Sequence, residues 1–137
     1  MKSLYSAFGT VEEYEKNGVT LDFGVAKFRV RRAGGSNREF LTLLATKLRP
    51  HRRSIDAGTM DEDAAKAIHL EVYFKAVVVG WEGVTDRSGS LLEYNLMNFK
   101  QVMTDLPDLW DRLRLEADTI KNFQDIETEE DGIKLGE

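Results

Sequence analysis

The chain has 137 residues, of which 42% are hydrophobic, a net charge of −5 and no cysteine. This length fits one domain with a substantial core, and the lack of cysteine excludes a disulfide scaffold, thiolate metal sites and a cysteine nucleophile. No stretch reaches the ~18 uninterrupted apolar residues of a membrane span, and the first residues lack the apolar core of a signal peptide. We therefore expect a soluble cytoplasmic protein.

Charge is distributed unevenly along the chain. Residues 124–137 carry six acidic residues and one basic residue, so this tail accounts for the whole net charge. Residues 27–53 carry nine basic residues against Glu39 alone. We predict a flexible N-terminal arm over residues 1–17, one domain over 18–123 and a flexible acidic tail over 124–137.

The N-terminal part of the domain has the period of a β-hairpin. Apolar residues alternate with polar ones at Val19, Leu21 and Phe23, and again at Phe28 and Val30. After Gly34-Gly35, the sequence Ser36-Asn37-Arg38-Glu39 resembles a capping box with Ser36 as the N-cap. It predicts a helix in which Phe40, Leu44 and Leu48 recur every fourth residue and which ends near Arg49, since Pro50 cannot continue it.

Three further helices are predicted from apolar spacing. Residues 61–79 form a segment of nineteen residues without a breaker; its second half, rich in β-branched residues, also fits a buried strand, but the length favours a helix. A second stripe runs from Leu92 to Leu106, and a third begins at Asp108 after Pro107 and ends near Phe123. The predicted fold is α+β and mainly α: an N-terminal β-hairpin packed on about four helices.

No constellation in the sequence indicates catalysis. Phosphate-binding glycine motifs and His-Glu-x-x-His are absent, and His51 and His69 have no carboxylate at a useful spacing. The segment from Asp86 to Ser90 lacks the glycine and glutamate of a calcium loop, so a turn is the better interpretation. We therefore expect no enzyme activity, no catalytic residue, no metal and no cofactor.

Basic residues and tryptophans are the candidate binding residues. The run Lys47–Arg53 is the best nucleic-acid candidate, yet no aromatic residues interleave with its arginines and the protein is acidic, so a protein-binding face is preferred. The two tryptophans suit either core anchors or interface anchors. The predicted partner-binding residues are Trp81, Trp110, Arg29, Arg31, Arg49, Arg52 and Arg53.

Several short motifs occur in an order that resembles the tail assembly chaperones of long, non-contractile-tailed phages. They are Arg32-Ala33-Gly34-Gly35-Ser36-Asn37, Gly80-Trp81-x-Gly83-Val84-x-Asp86, Tyr94-Asn95, Leu106-Pro107-Asp108-Leu109 and Asn122-Phe123. The segment Leu91–Asn98 is bulkier here than in the family. The resemblance spans about residues 18–123.

The resemblance implies a non-catalytic protein that keeps the tape measure protein soluble and helps to recruit tail tube protein. It also implies a place in the host cytoplasm and absence from the mature virion. Self-association is expected, since a holdase for a long helical client gains from repeated weak contacts. The alternatives are a nucleic-acid-associated adaptor that uses residues 27–53 and a small head-tail joining protein.

Overall fold

The structure is a computed structural model that describes residues 3–124. In chain order, its helices are α1 Leu4–Phe8, α2 Glu12–Asn17, α3 Arg38–Leu48, α4 Arg52–Asp56, α5 Glu62–Ala76, α6 Leu96–Asp105 and α7 Pro107–Asp118. Its strands are β1 Val19–Asp22, β2 Lys27–Val30 and β3 Val78–Glu82. Short 3-10 turns occur at Arg49–His51 and Ile120–Phe123. The predicted α+β, mainly α fold is confirmed.

The three strands form one antiparallel sheet in the order β1-β2-β3. The predicted hairpin is β1 and β2, with Leu21 opposite Phe28. Phe28 is also opposite Trp81 of β3, so one face of the sheet is apolar and packs on the helices. Alternation along each strand therefore places the charged residues on the outer face.

The third strand corrects the prediction of a helix over residues 61–79. Helix α5 ends at Ala76, Val77 departs from regular helix geometry with φ −117° and ψ −61°, and Val78 begins β3. Pairing with β3 gives the free edge of β2 backbone partners, and the β-branched residues of β3 suit that pairing. The chain thus enters the sheet directly from its central helix.

Asn37, rather than the predicted Ser36, is the N-cap of α3. Its Oδ1 accepts a hydrogen bond from the Phe40 amide at 3.1 Å, and its Nδ2 donates to the carbonyls of Arg32 and Ala76, both at 2.8 Å. The Asn37 side chain is buried, so one amide group joins the helix start, the β2–α3 loop and the end of α5. A serine hydroxyl has a single hydrogen and could not donate to both carbonyls.

Helices α6 and α7 follow the predictions with shifted ends, whereas α4 at Arg52–Asp56 was not predicted. The third predicted helix begins at Leu96 instead of Leu92, because Asn95 caps it, and the last one becomes a 3-10 turn after Asp118. The break at Leu106-Pro107 is confirmed. The segment Asp86–Ser90 is a turn, as predicted, with Asp86 Oδ1 accepting from the amides of Ser88 and Ser90.

Residues 1–17 were expected to be a flexible arm, and from residue 3 onward they contain α1 and α2. Helix α2 packs Tyr14 against the core, whereas α1 buries no residue. The predicted acidic tail, apart from Gln124, lies outside the described residues.

Candidate functional site: an apolar groove between three helices

An open groove of about 550 Å³ lies between α3, α5 and α7. Each helix contributes a pair of residues four positions apart, which places both members of the pair on one helix face. The lining residues are Ala33, Phe40 and Leu44 on the α3 side, His69 and Tyr73 from α5, and Asp111, Arg114, Leu115 and Asp118 from α7. We call this site the α3/α5/α7 groove.

The floor of the groove is aromatic and continuous with the core. The rings of Phe40 and Tyr73 pack edge to face with centroids 5.5 Å apart, and both side chains are buried. Burial raises the pKa of Tyr73 to about 12, with Asp118 adding to the rise and Arg114 opposing it, so its hydroxyl is neutral at physiological pH. The floor therefore presents an uncharged, fixed surface.

The rim combines charge with one exposed leucine. Leu115 is 63% exposed, and the Arg114 guanidinium lies 4.8 Å from the centroid of the Trp110 ring while it pairs with Asp111. Asp118, one turn further along α7, has no ion-pair partner within residues 3–124. An apolar floor with a charged rim is the form of surface that binds the apolar face of an amphipathic helix.

Trp110 and Trp81 both belong to the core rather than to one shared surface. Trp110 is 4% exposed and lies beneath the groove, with its ring 5.0 Å from Tyr73. Trp81 is half-buried on β3, where its Nε1 donates to the Leu92 carbonyl at 2.9 Å. Trp110 thus has no free face to offer a partner and instead supports the groove floor.

Trp81 borders a second, smaller depression of about 330 Å³ on the sheet. Its lining includes Arg29, Val79 and Glu82, and Val79 is half exposed. Among the aromatic contacts of residues 3–124, Phe99 links the two indoles, each with its ring centroid 6.4 Å from that phenyl ring. The structure therefore does not bring the two predicted tryptophan anchors together at one binding site.

Two of the five predicted arginines are engaged within the fold. Arg31 forms an ion pair with Glu39 at 2.8 Å, and Arg29 Nε donates to the Asn17 carbonyl at 3.0 Å. Arg29 ties β2 to the end of α2, and Arg31, directly after β2, ties the following loop to α3. These two side chains are therefore structural in this conformation, and steering a partner would compete with their present bonds.

The other three arginines are exposed just beyond α3. Arg49, Arg52 and Arg53 have no ion-pair partner among the described residues. Arg49 follows Leu44 by five residues, which corresponds to about 7.5 Å along a helix axis. This basic cluster, Arg49/Arg52/Arg53, therefore lies past the C-terminal end of the helix that lines the groove.

The sequence placed Phe40 and Leu44 four residues apart on one predicted helix, and it did not single out Tyr73 or Leu115. The one signal of the groove in the sequence is the apolar residue Leu115, which lies between the buried positions Leu113 and Ala117 of α7. An apolar residue on the exposed side of a helix is common, so the signal gains meaning only once α3 and α5 lie beside it.

Within residues 3–124, no helix has both the length and the apolar character to cross a membrane. The same part of the chain contains no group of three or more histidine, aspartate or glutamate side chains that could hold a metal ion.

Comparison with known proteins gives a match to a protein family. The family model for the YdaY prophage protein matches residues 35–134, which is well over half of the chain and includes all three helices of the groove. No significant match was found among curated proteins or among solved structures.

Proposed function

The chain belongs to the YdaY prophage protein family, and we propose that it is a non-catalytic tail assembly chaperone. In this role it holds the tape measure protein soluble and helps to bring tail tube subunits to it. The proposal rests on the resemblance in sequence motifs to tail assembly chaperones and, above all, on the α3/α5/α7 groove. It places the protein in the host cytoplasm during assembly and outside the mature virion.

The groove has the properties that a helical client requires. Its floor of Phe40, Leu44 and Tyr73 is apolar, and Leu115 extends that surface to the rim. An amphipathic helix presents its apolar residues in a row of the same kind, so the two surfaces are complementary. The Asp111–Arg114 pair and Asp118 supply polar contacts for the edges of such a helix.

The basic cluster is suited to raising the association rate of a client rather than its affinity. Arg49, Arg52 and Arg53 are solvent-exposed, and exposed charges at the edge of a binding site act mainly on the association rate. A client whose helices carry acidic residues would be drawn toward the end of α3 before its apolar face enters the groove.

Co-expression with the candidate tape measure protein tests the proposal. The wild-type chain should keep that client in the soluble fraction. Leu115→Glu should abolish this effect without unfolding the protein, because the Leu115 side chain is exposed. Leu91→Glu is a matched control, because Leu91 is 76% exposed and lies outside the groove. A client that precipitates equally with and without the wild-type chain would contradict the proposal.

A nucleic-acid-associated adaptor is the second candidate, and the exposed Arg49/Arg52/Arg53 cluster is the observation that favours it. Phosphate binding would weaken steeply with salt, with a slope set by the number of phosphates neutralised. Binding of a duplex DNA probe that is lost on changing all three arginines to alanine would support this candidate over the chaperone.

A further inference from the structure

Helix α1 leaves its apolar side chains in solvent. Leu4, Tyr5 and Phe8 are 75%, 90% and 69% exposed, and no residue of α1 is buried. Its C-terminal end is nevertheless fixed, because Gln124 Nε2 donates to the carbonyls of Ala7 and Gly9 at 3.0 and 3.1 Å. The helix therefore projects from the domain as a short apolar element.

A five-residue helix needs contacts with another surface to remain folded. Isolated helices shorter than about 12 residues are marginal in water, and α1 has five. Ser3 and Ser6 cap its start reciprocally, but caps do not remove apolar surface from water. The chain's own groove does not cover α1 in this structure, since all three apolar side chains are exposed.

Charge favours the α3/α5/α7 groove as the surface that covers α1. Residues 2–11 contain Lys2 and no acidic residue. The rim of the groove carries Asp118, which has no ion-pair partner within residues 3–124, beside the paired Asp111 and Arg114. An apolar helix preceded by a lysine thus matches an apolar floor with a carboxylate at its edge.

The area involved indicates how many such contacts are needed. Two aromatic side chains and a leucine bury on the order of 450 Å², and the groove adds less than that, because Phe40 and Tyr73 on its floor are already buried. One contact therefore buries less than roughly 900 Å² in total, below the ~1,200–2,000 Å² of a stable interface, whereas two contacts approach that range. A two-fold dimer in which each copy places α1 in the groove of the other has two such contacts. Once the first contact has formed, the second is intramolecular and forms more readily.

We infer that two copies of this chain associate by reciprocal docking, with α1 of each copy in the α3/α5/α7 groove of the other. Leu4, Tyr5 and Phe8 lie on Phe40, Leu44, Tyr73 and Leu115 of the partner copy. The dimer uses the same groove as the proposed client but requires no client.

Sedimentation of the full chain over a wide concentration range tests the docking. The wild type should show a reversible monomer–dimer equilibrium. The double variant Tyr5→Ser/Phe8→Ser and, separately, Leu115→Glu should each weaken dimerisation by about tenfold or more. Val25→Ser is the matched control, because Val25 is 90% exposed but belongs to neither surface, and it should change the equilibrium less than about twofold.

Engineered cysteines identify the two surfaces directly, since the chain has none of its own. A mixture of Phe8→Cys and Leu115→Cys should form a disulfide-linked heterodimer under mild oxidation, faster than a mixture of Val25→Cys and Leu115→Cys. A chain that carries both Phe8→Cys and Leu115→Cys should form interchain rather than intrachain bonds.

Three results would overturn the inference: a wild type that stays monomeric throughout, intrachain bonds alone, or heterodimers no faster than in the control mixture. None of these experiments contains a client. A failed co-expression experiment alongside an intact dimer would therefore count against the proposed function only.

Discussion

The Tyr73 ring packs edge to face on the Trp110 indole, with the ring centroids 5.0 Å apart. Tyr73 lines the α3/α5/α7 groove, whereas Trp110 lies beneath it at 4% exposure. The groove floor is thus the outer layer of the hydrophobic core. Any change that loosens the core at Trp110 will also alter the surface offered to a partner.

Trp110→Ala should destabilise the fold strongly. The indole also contacts Phe99 and the Arg114 guanidinium, and truncating a buried tryptophan typically costs about 3–5 kcal/mol. Urea denaturation followed by circular dichroism measures the change. Leu115→Ala on the same helix is the control and should cost less than about 1 kcal/mol, because its side chain is 63% exposed. Equal effects of the two variants would place Trp110 outside the core.

Asn37→Ala should destabilise the protein by about 3 kcal/mol, since it removes a helix cap and leaves the buried carbonyls of Arg32 and Ala76 without their donor. Ser36→Ala is the matched control, because Ser36 is exposed and does not cap α3. Denaturant midpoints of the two variants give the comparison. A larger loss for Ser36→Ala would restore the capping box that the sequence suggested.

The N-cap of α3 illustrates what could be predicted from the sequence and what could not. The residues Ser36-Asn37-Arg38-Glu39 indicated a helix start within one residue, because capping depends on local spacing. They could not show that Asn37 also meets Ala76, thirty-nine residues away. Glu39, the other half of the expected box, pairs instead with Arg31 across the β2–α3 loop.

Strand β3 and the groove likewise could not be predicted from the sequence, because both depend on tertiary contacts. The run Val77-Val78-Val79 before Gly80-Trp81 has strand-like composition, but a helix–strand junction without a breaker has no local signature. Phe40 and Leu44 were correctly placed on a helix. That they line a groove follows only from the positions of Tyr73 and Leu115, which the sequence does not relate to them.

Glu71→Gln should destabilise the protein at neutral pH by about 1 kcal/mol, the upper end for an exposed ion pair. Lys47 of α3 and Lys75 lie 2.8 and 3.0 Å from Glu71 Oε2, and their hydrogen bonds lower the pKa of Glu71 from 4.5 to about 2. Its contribution is therefore full above pH 4.5 and is lost as the pH falls toward 2.

Urea denaturation of both proteins at pH 7 and at successively lower pH measures this dependence. The difference between wild type and Glu71→Gln should shrink continuously below pH 4.5. A difference that stays constant to acid pH would show that the carboxylate charge is not what joins α3 to α5.

Competition between α1 and a client for one groove gives the last prediction. If α1 of a second copy covers the α3/α5/α7 groove, a client helix must displace it, and the apparent affinity falls by the fraction of grooves already filled. The double variant Tyr5→Ser/Phe8→Ser should therefore bind an amphipathic helical peptide from the tape measure protein more tightly than the wild type. The gain should grow with protein concentration, because dimers then fill more grooves.

Tryptophan fluorescence can report this binding, because Trp110 touches Tyr73 and Arg114 at the groove. Titration at two protein concentrations, one well below and one well above the dimer dissociation constant, separates competition from a direct effect of the substitutions. Leu115→Glu should abolish peptide binding at both concentrations. Arg52→Ala should slow association but still allow the groove to be saturated with peptide. A variant and a wild type with equal affinity at both concentrations would show that α1 and the client use different surfaces.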